Sequence, residues 1–267
     1  LHRLEFRQRV AVDIAGRSTA SLMLGQAVAM PVAIAPTGLT GMIHPDGEIL
    51  AARAAKKFGI PFTLSTMSIC SIEAVAQATD YHPFWFQLYV MRDRQFVANL
   101  IDRAKAANCG ALVVTMDLQV FGQRHKDIKN GLSTPPKMTL RNLLNIAGKP
   151  RWCRSMLATQ YRNFGNIIGH ASGVDNIDAM VEWTARQFDP RLSWQDIAWI
   201  KQRWGGKLVV KGIMDAEDAR LAVEAGADAL IVSNHGGRQL DGVSSSITVL
   251  PEIVAAVGDR IEVHFDG

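Results

Sequence analysis

Cysteine is scarce. The 267 residues hold three, Cys70, Cys109 and Cys153, an odd number at wide spacing, with no CxxC pair and no partnering histidine cluster. That excludes a disulfide framework and a cysteine-ligated zinc site, and leaves reduced, cytosol-facing thiols as the expectation. No apolar run approaches the ~20 residues a bilayer-spanning helix needs, and no low-complexity tract is present. The chain opens at Leu1 in a polar, strand-like stretch that reads neither as a signal peptide nor as an initiating Met, and it is expected to be cut from something longer. A concentrated positive stripe is also missing: 29 Lys and Arg stand against 25 Asp and Glu, a net charge of +4 dispersed along the chain. Nucleic-acid binding wants that charge gathered on one face with stacking aromatics, so this class is set aside. The mild excess suits anionic substrates, a phosphate-bearing cofactor or an acidic membrane surface.

What is present is the composition of a soluble globular enzyme, 48% hydrophobic and 20% charged, at a length where single α/β barrel domains occur. Short apolar, β-rich runs alternate with helix-length segments, the rhythm of successive βα units around a parallel sheet. Strands are expected at 31–35, 62–65, 85–90, 112–116, 208–211, 229–233 and 261–265; their near-continuous hydrophobicity says that both faces are covered. Ser71, Ser193 (with Asp196 three residues on) and Asp215 read as N-caps, and Gly226 as a helix stop. Between about 130 and 191 the rhythm breaks at Pro135, Pro136, Pro150 and the basic aromatic patch Arg151-Trp152-Cys153-Arg154. We read a long excursion after the fourth strand within a single domain spanning 1–267. The expected fold is a TIM (β/α)₈ barrel with its last βα unit absent from this chain, since a closed barrel has ~8 strands.

In such a barrel the functional positions lie at the C-terminal ends of the strands. Those ends read Pro36-Thr37-Gly38, Ser65-Thr66, Gln87-Leu88-Tyr89, Thr115-Met116-Asp117, Lys211-Gly212, Ser233-Asn234-His235 and Asp266-Gly267, with Arg124 and Arg238 just beyond. A His near an Asp makes an oriented general base. Guanidiniums bind a carboxylate through bidentate, charge-assisted bonds. A Lys at a buried strand end places fixed positive charge where an anion binds or develops. Together they point to proton abstraction beside a carboxylate, with the electrons passing to a cofactor. Taken singly, each residue also has a structural reading, and Ser65, Gln87 and Thr115 could simply satisfy strand-end backbone groups. His44, His82, His125, His170 and His264 show no ligand spacing.

The run Ser233 to Asp241, SNHGGRQLD, resembles the signature of the FMN-dependent α-hydroxy acid dehydrogenases and oxidases, and the stretch STMSICSIE from Ser65 with the basic run Arg151 to Arg154, RWCR, looks most like their bacterial respiratory L-lactate dehydrogenase branch. The resemblance continues through APTGLTG at Ala35, LSTMS at Leu64, FQLYV at Phe86, TMD at Thr115, GQRHKDIKNG at Gly122 and LVVKG at Leu208. It implies that His235 takes the proton and Asp117 orients it, that Arg238 clamps the substrate carboxylate with help from Arg124, and that Tyr89 touches the substrate. FMN would rest on Pro36, Thr37 and Gly38, bonded by Ser65, Gln87 and Thr115, with Lys211 near N1 and Ser233 beside it. Asp266 and Gly267 would meet its ribityl and phosphate end.

By the same resemblance, a second phosphate-binding stretch would lie beyond Gly267 and a carboxylate-binding Tyr before Leu1. The Thr-Pro that often follows the Asp of TMD is absent here. Gly38 stands where glycolate oxidase has Ala and Met67 where it has Trp, which implies a roomier pocket and lactate, or a larger hydroxy acid, as substrate. The resemblance further implies quinone or another electron acceptor, a homotetramer, and a cytoplasmic location with peripheral contact on the inner face of the membrane. Two alternatives stay open: a different FMN barrel, such as a type 2 isopentenyl diphosphate isomerase, and a barrel fragment without activity.

Overall fold

The structure is a computed structural model; it describes residues 5, 7–119, 122, 125, 129, 140–187 and 189–267, and at 140, 141, 177, 178, 181 and 185 the backbone alone. An antiparallel hairpin comes first, β1 (Ser21–Met23) and β2 (Gln26–Val28), with Ser21 opposite Val28. There follow α1 (Thr40–Ile43), α2 (Gly47–Phe58), β3 (Thr63–Ser65), α3 (Ile72–Ala78), β4 (Trp85–Tyr89), α4 (Arg94–Ala106) and β5 (Ala111–Thr115). Next are α5 (Leu140–Ala147), α6 (Pro150–Ala158), α7 (Ile177–Gln187) and α8 (Trp194–Trp204). The chain closes with β6 (Lys207–Ile213), α9 (Ala216–Glu224), β7 (Ala229–Val232), a 3₁₀ turn (His235–Gly237), α10 (Ser246–Val257), a second 3₁₀ turn (Gly258–Arg260) and β8 (Glu262–Phe265). The strands β3 to β8 form one six-stranded parallel sheet in sequence order.

Both faces of this sheet are buried, and the two-residue period of a strand decides what each face carries. Phe86, Leu88, Leu112, Val114, Leu208, Val210, Leu230 and Val232 point to the helices and belong to the main core. The alternate positions Trp85, Ala111, Val113, Val209, Ala229 and Ile231 form a second core on the inner face, floored by Met23, Leu24 and Val28 of the hairpin. The Leu24 N–H donates to both carboxylate oxygens of Glu262, the first residue of β8, at 2.9 Å, so the hairpin plugs the N-terminal end of the strands. Trp85 on β4 stacks on His264 of β8, ring centroids 5.9 Å apart, although β5, β6 and β7 lie between them in the sheet. Such a contact requires a sheet curled about its inner face.

Six of the seven expected strands form within one or two residues of their expected limits. The run at 31–35 narrows to a single parallel bridge, Ile34 to Phe62, flanked by Ile34 N–H to the Pro61 carbonyl (2.9 Å) and Thr63 N–H to the Ile34 carbonyl (3.0 Å). Pro31 and Pro36, at either end of that run, have no N–H to extend a ladder. The cap signals hold. Ser71 Oγ accepts from Ala74 N (3.1 Å), the Ser193 N–H donates to Asp196 Oδ2 (2.9 Å), and Asp215 Oδ1 accepts from Glu217 N (2.8 Å). Gly226 follows the cap residue of α9 at φ +86°, a left-handed stop that suits glycine. The hairpin and the three helices inside the excursion, α5 to α7, went unread in the sequence.

Candidate active site

Two residues further along each inner-face column, the apolar side chains give way to polar ones. Gln87 follows Trp85, Thr115 follows Val113, Lys211 follows Val209 and Ser233 follows Ile231; the register adds Ser65 beside Gln87 and Asp266 beside Ser233. One face of one sheet thus gathers six of the anticipated site residues at the C-terminal ends of the strands. They bond to one another. Ser65 Oγ donates to Gln87 Oε1 (3.1 Å) and Gln87 Nε2 to Thr115 Oγ1 (3.0 Å). Lys211, 5% exposed, donates from Nζ to Ser233 Oγ (2.6 Å) and to both oxygens of Asp266 (2.7 Å each). The buried ammonium is thus paired with one carboxylate and one hydroxyl. This set of donors and acceptors beside a cation fits a flat heteroaromatic ring that gains negative charge, as the flavin expected from the motifs does.

His235 enters from the turn after β7. Its Nδ1 lies 3.1 and 3.2 Å from the two oxygens of Asp117, in the loop after β5. A carboxylate can only accept, so Nδ1 carries the proton and Nε2 is the basic nitrogen. To point this way His235 takes φ +58°, a left-handed conformation costly for a residue with a β-carbon, and Gly236 (φ +66°) and Gly237 (φ +68°) continue it. The turn is pinned from three sides. Ser233 Oγ accepts from His235 N (3.2 Å), Asn234 Oδ1 accepts from Gly237 N (3.2 Å), and Asn234 Nδ2 donates to the Ser244 carbonyl (3.1 Å). Asp117 is seated by Gly212: at φ +104°, a β-carbon there would fall 2.9 Å from Asp117 Cβ.

Arg238 follows the His-Gly-Gly turn with an exposed side chain, and Tyr89, half-buried, ends β4 with its N–H donating to Thr66 Oγ1 (3.2 Å). Arg124 lies outside the described residues. Pro36, Thr37 and Gly38 occupy the turn before α1, and a β-carbon on Gly38 would lie 3.3 Å from Met67 Cβ, so the two positions tied to substrate size touch each other. Gly267 packs against the turn, where a β-carbon would come within 2.8 Å of Asn234 Oδ1. The structure therefore gathers every described site candidate at the strand ends.

Several residues that hold this arrangement were not singled out in the sequence. Asn166, fully buried, donates to the Ser65 carbonyl (3.3 Å) and Ser68 Oγ (2.9 Å) and accepts from Ile72 N (2.9 Å) and Arg103 (3.3 Å), which fastens the excursion to the end of β3. Trp152 donates from its ring to the Met42 carbonyl (3.2 Å), and Thr159 Oγ1 to Asp46 (2.5 Å). Glu48 is a further buried carboxylate behind the turn after β3. Burial first, and the Glu48 carboxylate second, push the Cys70 thiol far above its ordinary range, so it is an inert neighbour of the site. Among the described residues no group of His, Cys, Asp and Glu could hold a metal ion.

The sequence profile of FMN-dependent dehydrogenases matches residues 1–267. The chain is 47% identical over 264 residues to an L-lactate dehydrogenase of Xanthomonas campestris pv. campestris (strain B100), covering 98% of this chain and 68% of that protein. It superposes on the crystal structure of the monotopic membrane protein (S)-mandelate dehydrogenase with a TM-score of 0.90 at 36% identity, over 98% of this chain and 69% of that one. It also superposes on a mandelate oxidase mutant with the C4a-OH-FMN adduct, with a TM-score of 0.75 at 34% identity, over 97% of this chain and 65% of that one.

Proposed function

The chain belongs to the FMN-dependent dehydrogenase family, and from that premise we propose that it oxidises L-lactate to pyruvate, with His235 as the base. It is an FMN-dependent hydroxy acid dehydrogenase; the substrate, the roles of single residues and the electron acceptor are our reading. One observation carries it: an imidazole whose Nδ1 is turned onto Asp117 at 3.1 Å and whose strained backbone is anchored to Ser233, itself bonded to Lys211.

FMN, when bound, supplies a two-electron acceptor at the strand ends. Pro36, Thr37 and Gly38 would support the ring, Ser65, Gln87 and Thr115 would bond its edge, and Lys211, with Ser233 beside it, would place positive charge where reduction puts negative charge. Asp266 and Gly267 would meet the ribityl and phosphate end. Arg238, with help from Arg124, would clamp the substrate carboxylate, which suits a guanidinium fork, and Tyr89 would contact the substrate. His235 Nε2 then takes one proton, either from the hydroxyl while the Cα hydrogen leaves with the electron pair, or from the α-carbon with the hydroxyl proton lost as the pair leaves for the two-electron acceptor, and Asp117 stabilises the resulting imidazolium. Glycine at 38 and methionine at 67, in place of the Ala and Trp of glycolate oxidase, favour lactate over a pocket closed down for glycolate.

The same reading makes the curled parallel sheet most of a TIM (β/α)₈ barrel, with residues 1–267 in one domain. It passes the electrons to quinone, from a homotetramer held peripherally on the inner face of the cell membrane. The exposed Leu143, Leu144 and Leu157, flanked by the exposed Lys149, Arg151 and Arg154 on α5 and α6, support such a contact.

Anaerobic mixing of the FMN-loaded protein with L-lactate, (S)-mandelate or glycolate, following oxidised-flavin absorbance, tests the reading. Fastest bleaching by L-lactate is expected. Faster bleaching by either competitor would overturn the substrate assignment, and a bound flavin bleached by none of the three would overturn the reaction class.

A further inference from the structure

Glu48 has no part in the chemistry above, yet it is a carboxylate at 2% exposure. It is the second residue of α2, whose other buried positions, Gly47, Ile49, Ala52 and Ala55, are apolar or small. Its Oε2 is buried with no N–H or hydroxyl donor, and the buried Cys70 thiol lies against the carboxylate. An alkyl side chain would avoid that desolvation cost, so the carboxylate's presence asks for a reason.

The other oxygen supplies one. Oε1 accepts from two backbone N–H groups of separate loops, Gly41 at 2.9 Å and Ile69 at 3.0 Å. Gly41 lies in the first turn of α1, where an N–H has no partner within the helix. Ile69 lies in the turn after β3. The loops they belong to carry Gly38 and Met67, which meet on the site side: Leu39 N–H donates to the Met67 carbonyl at 3.0 Å. The loops are thus joined once beside the pocket, and once behind it by a single oxygen. Gly41 makes the second join possible, since a β-carbon there would fall 2.7 Å from Glu48 Oε2 and 2.8 Å from Ile69 Cβ. The position of Glu48 in the first turn of α2 puts its charge where a helix favours it.

We propose that Glu48 is a positioning residue for substrate selection: through Oε1 it holds segments 38–41 and 67–69 at one spacing, and so sets where the wall that Gly38 and Met67 form together stands, and with it the width of the pocket that wall bounds. The proposal rests on those loops being the wall of the hydroxy-acid pocket. Width matters because a pocket discriminates by fit against its walls, and a wall free to recede admits the larger ligand at little cost. Glu48 contacts neither substrate nor flavin in this account.

The test compares Glu48→Met, similar in length but without an acceptor, with Glu48→Gln, whose amide oxygen can still accept from both N–H groups. Two readouts are taken on the FMN-loaded protein: hydrogen–deuterium exchange across 38–41 and 67–70, and the ratio of kcat/KM for L-lactate over (S)-mandelate. Glu48→Met is expected to retain FMN, to raise exchange in both loops by about tenfold or more, and to lower the ratio by about tenfold, chiefly through KM. Glu48→Gln should restore both to near the parent values. Exchange unchanged in Glu48→Met would overturn the clamp; raised exchange with an unchanged ratio would overturn its role in selection. Should Glu48→Met fail to fold, Gly41→Ala, which presses a methyl onto Oε2, must produce the same two shifts, and parent-like values there would overturn the proposal. If no hydroxy acid bleaches the parent flavin, the functional reading fails, while the exchange experiment still decides whether Glu48 joins the loops.

Discussion

At the residue scale, the site depends on one imidazole held in an unfavourable backbone conformation. His235 at φ +58° is costly by about 1 to 3 kcal/mol, and it is sustained by Ser233 Oγ on its own N–H and by Asn234 on the turn that follows. His235→Gln keeps a side chain of similar reach but cannot relay a proton. It should leave FMN bound and slow flavin reduction by L-lactate about 10³-fold, within the range general bases contribute. Stopped-flow absorbance under anaerobic conditions measures this, and a parent-like reduction rate would remove His235 as the base. His235, Asp117 and Lys211 were legible because the motifs that carry them are contiguous in the chain. Glu48 and Asn166 were not: their partners lie 7 to 101 positions away, and neither differs in sequence from an ordinary helix or loop polar residue.

At the element scale, α3 and α4 are joined by a two-pronged ion pair, Arg103 Nε to Glu73 Oε1 (2.7 Å) and Nη2 to Oε2 (2.8 Å), while Arg103 Nη1 donates to the Asn166 carbonyl (3.2 Å). Burial alone would raise the Glu73 carboxyl; the Arg103 guanidinium overrides it and holds the group at about 2, against 4.5 for the free side chain. A folded-state value below the unfolded one stabilises the fold fully above about 4.5, and that contribution is lost as the pH falls toward 2. Half of the Glu73 side chain is in solvent, so the pair is worth about 1 kcal/mol or less at neutral pH. Arg103→Met should flatten the decline in urea midpoint between pH 4.5 and 2; a decline as steep as the parent's would show that other carboxylates cause it.

At the scale of the whole molecule, the excursion after β5 folds back onto the loops at the strand ends. Trp152, in the basic aromatic patch of that excursion, turns its ring N–H onto the Met42 carbonyl and docks α6 on α1. The apolar residues left outward are Leu143, Leu144 and Leu157, beside Lys149, Arg151 and Arg154. No helix among the described residues is long and apolar enough to cross a membrane. Peripheral attachment then predicts co-sedimentation with anionic phospholipid vesicles, weakened by salt and lost in Leu144→Glu with Leu157→Glu. Binding that survives the double substitution would place the contact elsewhere.

The sequence by itself determined the strand order, the helix caps and the chemistry-bearing ends of the strands, because each is written within a few neighbouring residues: a buried apolar run, a cap residue before a helix, a nine-residue motif. It also implied the parity that brings Gln87, Thr115, Lys211 and Ser233 to one face, since a strand alternates every residue. Only the tertiary structure decided that the run at 31–35 pairs through Ile34 alone, that Lys211 is held by Asp266, that Gly212 makes room for Asp117, and that Glu48 joins two loops. These depend on which backbone groups approach one another once the sheet has curled, and a contact between distant segments leaves no local pattern in the chain.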